Sequence, residues 1–157
     1  MTAAFVLPVV AGPGAATNTT SAVPLQAYHT EDRDGQRWQA LALVESGACD
    51  DCKGRAGEIS RYQMLKRVWR ENTSLPFSAA TNPFTALNVA KQEMARRLRG
   101  RSMSDRDWFL TWHCPAHVWH PNIEERAYAD RCENTLKNLL TSESMSTNIT
   151  SLKPKLK

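Results

Sequence analysis

Trp38-Gln39-Ala40-Leu41-Ala42-Leu43-Val44-Glu45-Ser46-Gly47 is an apolar run that stops at a glycine and carries a carboxylate in its last turn. Trp38, Leu41 and Glu45 recur at helical spacing and so share one face. The run predicts a helix over 34–46, ended by Gly47. A carboxylate on an apolar face loses solvation, which disfavours its charged form and raises its pKa. A general acid needs that property to hold a proton near neutral pH. On this segment alone, a Glu at the helix end turned to solvent is the favoured reading.

The residues beyond Glu45 favour the general acid. After Glu45-Ser46 come Gly54-Arg55-Ala56-Gly57-Glu58, then Tyr62-Gln63-Met64, then Trp69. Further on stand Asn82-Pro83-Phe84 leading to Val89-Ala90, then Leu110-Thr111-Trp112, then Tyr128-Ala129-Asp130-Arg131. In this order, over roughly residues 36–140, the chain resembles the lysozyme-like superfamily, in particular soluble lytic transglycosylases and goose-type lysozymes. Two positions depart from the family pattern. Ser60 stands where many relatives have Gly, and Trp112-His113-Cys114-Pro115 stands where many have an aromatic-Asn-Ala-Gly element that shapes the sugar cleft.

The resemblance implies a mainly α, lysozyme-like helical domain with a small loop or β-hairpin after the catalytic helix. It implies a lytic transglycosylase of peptidoglycan, acting on the β-1,4 bond between N-acetylmuramic acid and N-acetylglucosamine with Glu45 as general acid/base. Such enzymes need one carboxylate, because the substrate's own C6 hydroxyl attacks the anomeric carbon and leaves a 1,6-anhydro sugar. A lysozyme-type hydrolase of the same bond would call on a second carboxylate, for which Asp50, Asp51 and Glu58 are available. A catalytically inactive glycan-binding module of the same fold is the further alternative. Ser46, Tyr62, Gln63, His113 and Tyr128 are the expected substrate-binding residues. Ser46 is equally able to cap the helix end, and Trp112 and Tyr128 offer faces for sugars or for the core. The expected partner is the glycan strand, in the periplasm or outside the cell, bound by a monomer without a cofactor.

A chain of 157 residues has room for one well-buried core. Five Trp and 41% apolar residues exclude a wholly disordered chain. No stretch approaches the roughly 20 apolar residues of a membrane-spanning helix, and no transmembrane segment is expected. The net charge of +4 is unevenly spread, with Lys91, Arg96, Arg97, Arg99, Arg101 and Arg106 in one segment and Lys153, Lys155 and Lys157 at the end. Such patches attract polyanions of any kind, or form a solvated helix face. The solvated face is the favoured reading, and no nucleic acid is expected. Residues 1–30 read as a flexible arm or as a signal peptide whose apolar run, Ala3 to Ala11, lacks a basic start. Residues 31–140 form the domain, and 141–157 a polar, disordered tail.

Within the domain, 47–57 holds Asp50-Asp51 and glycine turn signals. A short helix carries Leu65, Val68 and Trp69, and Asn82-Pro83 starts another on which Phe84, Leu87, Ala90, Met94 and Leu98 recur. Ser104 and Asp107 form a capping pair ahead of Trp108, Phe109 and Trp112. Pro121-Asn122 precedes a last helix with Ala129, Cys132, Leu136 and Leu139 on one face.

The cysteines leave three states open. Cys49 and Cys52 with Cys114 and His117 have the makings of a four-ligand zinc set. In an exported protein, disulfides such as Cys49 with Cys52 and Cys114 with Cys132 are the default. Free thiols, with Cys132 as a core residue, are the third state.

Overall fold

The computed structural model describes residues 33–150, and their side chains as far as 142. The described residues form five α-helices: α1 (Arg33–Ser46), α2 (Lys66–Asn72), α3 (Pro83–Leu98), α4 (Asp105–His113) and α5 (Ile123–Thr150), with a 3₁₀ turn, Phe77–Thr81, before α3. The chain is mainly α, and none of its described helices is long and apolar enough to cross a membrane. Residues 1–32, with the possible signal peptide, and residues 151–157, with the three terminal lysines, lie outside the described residues.

Local chemistry explains the helix ends. The Asn82 side chain accepts from the Thr85 N–H at 3.0 Å, and Pro83 occupies the first turn, where no intrahelical donor is needed. The Ser104 hydroxyl accepts from the Asp107 N–H at 3.1 Å and opens α4. Gly47, at φ +66, ends α1, and its N–H returns to the Leu43 carbonyl at 2.9 Å.

Helix α5 is the hub, packing against both α1 and α4, while α3 packs against α2 and α4. The main core joins Trp38, Leu41, Tyr62, Trp69, Phe109 and Leu136 with their neighbours. A smaller cluster of Leu110, Val118 and Ala129 covers the other side of α4 and α5. Ala129, Cys132 and Leu136 are buried along one face of α5, as expected from their spacing, with Leu139 partly buried beside them.

Several expectations are corrected. Leu65 is the residue before α2 rather than part of it, and is exposed. Phe84 is 52% exposed, because the inward face of α3 is set by Ala86, Val89, Ala90 and Met94, out of phase with Phe84. The polar stretch from Thr141, expected to be loose, continues α5 to Thr150. The Thr141 and Ser142 hydroxyls are satisfied within it, donating to the carbonyls of Lys137 and Asn138 four residues back. The segment after α1 is a loop, in which backbone pairing is confined to isolated bridges, Lys53 with Ile59 and Ile59 with Met64. No strand forms among the described residues, since turns at Gly57, Ser60 and Gln63 with φ of +85, +83 and +46 interrupt each extended run.

Cys49 and Cys52 form a disulfide, which ties the loop just beyond Glu45 and uses the two sulfurs of the alternative zinc set. Cys114 and Cys132 are free thiols belonging to different core clusters, so the Cys114–Cys132 bridge is not made.

Candidate active site

Helix α1 delivers Glu45 to the edge of a cleft of ≈ 390 Å³ whose walls include Glu58, Gln63, Trp112 and His113. The apolar face that buries Trp38 and Leu41 carries Glu45 one turn further, half into the protein. Its partner comes from the far end of the chain: the Tyr128 hydroxyl on α5 donates to Glu45 Oε1 at 2.5 Å. Burial raises the Glu45 pKa. The Tyr128 hydrogen bond works the other way, the charge of Glu58 adds to the rise, and Arg131 opposes it. Loss of hydration dominates, so Glu45 holds its proton to higher pH than a solvated glutamate.

Tyr128 is itself fixed. Its ring stacks on His113 with centroids 3.9 Å apart and planes 15° from parallel, and the Arg131 guanidinium lies 5.8 Å from its centroid. With the residue only 5% exposed, Tyr128 offers no face to a sugar. Its contribution passes through the hydroxyl to Glu45. Burial pushes the pKa of the Tyr128 hydroxyl upward, so it remains a donor. Tyr128→Phe removes a hydrogen bond that favours the Glu45 carboxylate, so the Glu45 pKa should rise further. A carbon-13 NMR titration of the Glu45 carboxyl reads this shift, and an unchanged or lower value would refute the coupling.

The remaining expected site residues divide. Gln63 and His113 line the cleft with Glu45. Burial lowers the His113 pKa, so its imidazole is neutral near pH 7. Ser46 is a hub for the loop instead. Its hydroxyl accepts from the Cys49 N–H at 3.1 Å and lies 3.1 Å from the Arg61 carbonyl. Tyr62 is 2% exposed, edge-on to Trp38 and Trp112 in the core, and does not reach the cleft. The resemblance alone placed Tyr62 in the cleft, whereas a tyrosine taken by itself is more often a core residue, and here it packs in the core.

Of the three spare acids, Asp50 is bound by Arg61 through two contacts of 2.6 and 2.8 Å. Asp51 is exposed, with a carboxylate oxygen 3.4 Å from the Cys49 sulfur of the disulfide. Glu58 alone shares the cleft with Glu45, while one of its oxygens accepts from the Ala56 N–H at 2.9 Å. Gly54 makes this placement possible, since a methyl there would overlap the Glu58 carboxylate and the Gln63 amide. Gln63 in turn donates to the carbonyls of Ser60 and Cys52 at 2.9 and 3.3 Å. Gly54→Ala should therefore displace both side-chain ends, at a cost to stability of at most about 1 kcal/mol because those ends can swing aside. Urea unfolding checks the magnitude, and an unaltered midpoint would mean that the loop is free to yield.

The sequence did not mark Arg97 and Pro115 as cleft residues, nor Cys132 beside the Tyr128–Glu45 pair. Burial pushes the pKa of the Cys132 thiol up to about 12, leaving it a neutral apolar neighbour. The one local signal for Cys132 was its place one helical turn after Tyr128.

Compared with protein-family models, curated proteins and solved structures, the chain matches none.

Proposed function

We propose that this chain is a lysozyme-like domain that cleaves peptidoglycan as a lytic transglycosylase, with Glu45 as the single acid/base. One observation carries the reading. A glutamate with a raised pKa stands at a helix end, opens onto a cleft and is held by a tyrosine hydroxyl from another helix. A second observation supports it. Ser60, at the position where many lysozyme-like relatives have glycine, takes a φ of +83, in the backbone region that favours glycine.

In the proposed reaction, protonated Glu45 gives its proton to the glycosidic oxygen as the bond from C1 to that oxygen breaks. Positive charge develops on the sugar ring, and protonation of the leaving oxygen lowers the barrier. The Glu45 carboxylate then accepts the proton of the C6 hydroxyl on N-acetylmuramic acid. The C6 oxygen bonds to C1, giving the 1,6-anhydro product and restoring protonated Glu45. Neutral His113 and the Gln63 side chain are the polar groups placed to orient the sugars in the cleft.

The presence of Glu58 in the same cleft favours a hydrolase as the second reading, with Glu58 activating water. Mass spectrometry of fragments released from purified peptidoglycan separates the two. The transglycosylase yields products lighter by one water, with anhydro ends. Ordinary reducing ends would establish the hydrolase. A folded protein that binds glycan and releases nothing would be the inactive module.

A further inference from the structure

Past Trp112 and Pro115 the surface continues into a second concavity of ≈ 350 Å³. Arg67, Val68, Arg97 and Pro115 line both, so the two concavities adjoin across these residues. The far part has a different electrostatic character. Five arginines, at 67, 96, 97, 99 and 101, share it with two carboxylates, Glu71 and Glu93.

Those carboxylates are already engaged. Glu93, 1% exposed, takes Arg96 and Arg97 at 2.7 and 2.6 Å and accepts from Asn72 at 3.0 Å. Burial works to raise the Glu93 pKa, but the hydrogen bonds from Arg96, Asn72 and Arg97 hold it below the ordinary carboxylate range. Arg97 also donates to the carbonyls of Thr111 and Trp112, which makes it part of the frame. Glu71 lies 3.4 Å from Arg96 and 3.8 Å from Arg67. Arg99 and Arg101 make no ion pair among the described residues, and Arg101 uses its Nε on the Leu98 carbonyl. Arg99 caps α3 at a φ of +50, where a residue other than glycine costs about 1 kcal/mol. Trp119, 63% exposed, stands at the rim of the same cleft.

Guanidinium groups on a concave wall with their local carboxylates satisfied retain a positive field, and their fork geometry matches carboxylates. We infer that this arginine-lined cleft, through Arg99 and Arg101, binds carboxylate groups carried by the same glycan strand that passes Glu45, so that the substrate class is an acidic, peptide-bearing glycan. The inference rests on the glycan reading of the Glu45 cleft. Adjoining concavities let one polymer place its sugars in one and its acidic branches in the other.

The test uses the full chain carrying Glu45→Gln, so that glycan is bound without turnover. Affinity is measured for peptidoglycan fragments with their peptides and for the same glycan stripped of them. Adding Arg99→Asn and Arg101→Gln keeps a side chain tolerant of the left-handed conformation at 99 while removing both charges. Two lost charge pairs should weaken binding of the peptide-bearing fragment about tenfold, with less than about a twofold change for the stripped glycan. The difference should shrink as salt is raised. Equal affinities of the two proteins for the peptide-bearing fragment would overturn the inference. Tighter, arginine-dependent binding of a single-stranded oligonucleotide would also overturn it and assign the cleft to nucleic acid. Arginine-dependent glycan binding, with no cleavage by the chain that keeps Glu45, would remove the enzymatic reading alone, whereas cleavage by that chain with arginine-independent binding would remove this inference alone.

Discussion

Glu45→Gln is expected to lower the rate of peptidoglycan cleavage by about a thousandfold, within the roughly 10²–10⁴ range for loss of a positioned general acid. That factor corresponds to about 4 kcal/mol of transition-state stabilisation. The amide keeps the shape of the side chain and can still accept from Tyr128, so the fold should be retained. The measurement is the initial rate of fragment release at fixed pH, with circular dichroism as the check on folding. A folded Glu45→Gln protein that cleaves at the parental rate would end the proposal that Glu45 is the acid.

The same substitution has a consequence for stability that is independent of any activity. Glu45 holds its proton more tightly in the folded chain than at the ordinary value of 4.5 in the unfolded one. Between those two values the folded state carries more protons, and unfolding releases them. Stability from this group is therefore fully present below about pH 4.5 and is lost as pH rises through the raised value. Glu45→Gln has nothing to titrate at this position, so the difference in unfolding free energy between the two proteins should favour the variant increasingly across that window. Urea midpoints from about pH 4 to 8 supply the comparison. A difference that runs in the opposite direction would mean that the tyrosine hydrogen bond and Arg131 outweigh burial.

How far the sequence carried depended on the range of the interaction concerned. Asn82-Pro83 and Ser104 were legible because a cap is satisfied within three residues, and the structure shows both. The end of α1 at Gly47 was legible for the same reason. Tyr62, taken from a motif, and Phe84, taken from helical spacing, were not, because neither reveals which face a loop or helix will turn inward. That was decided on α3 by small residues, Ala86 and Ala90, which let the helices approach. The carboxylate of Glu45 was marked by its place on an apolar face, but its partner lies 83 residues away on α5. No local pattern specifies that distance. Only the packing of α5 on α1 brings Tyr128 to it, with His113 and Arg131 closing over the ring. The pairing of Cys49 with Cys52 likewise stood open among three states until the loop was closed.

Trp38→Ala is expected to cost about 3–5 kcal/mol, the range for removing a buried tryptophan. The indole is 4% exposed and meets three other rings edge-on: Tyr62 at 5.6 Å, Trp108 at 4.8 Å and Trp112 at 5.8 Å between centroids. Such edge-to-face pairs each add about 0.5–1.5 kcal/mol beyond the area they bury. The indole N–H also donates to Asp34 at 3.2 Å, one turn earlier on α1. Domains of this size are held by about 5–15 kcal/mol in total, so the alanine variant should be largely or wholly unfolded at about 37 °C. Trp38→Phe keeps an aromatic ring in the gap and should remain folded, with a lower urea midpoint and an unchanged slope. That variant also separates packing from chemistry. Trp38 lies two turns before Glu45 on the same helix, and Trp112 lines the cleft that Glu45 enters. A looser contact between these two tryptophans should reduce cleavage in the still-folded phenylalanine protein, since placement errors near about 1 Å cost as much as a hundredfold in rate. Full activity in Trp38→Phe would show that α1 holds Glu45 without help from the aromatic cluster, through α5 alone.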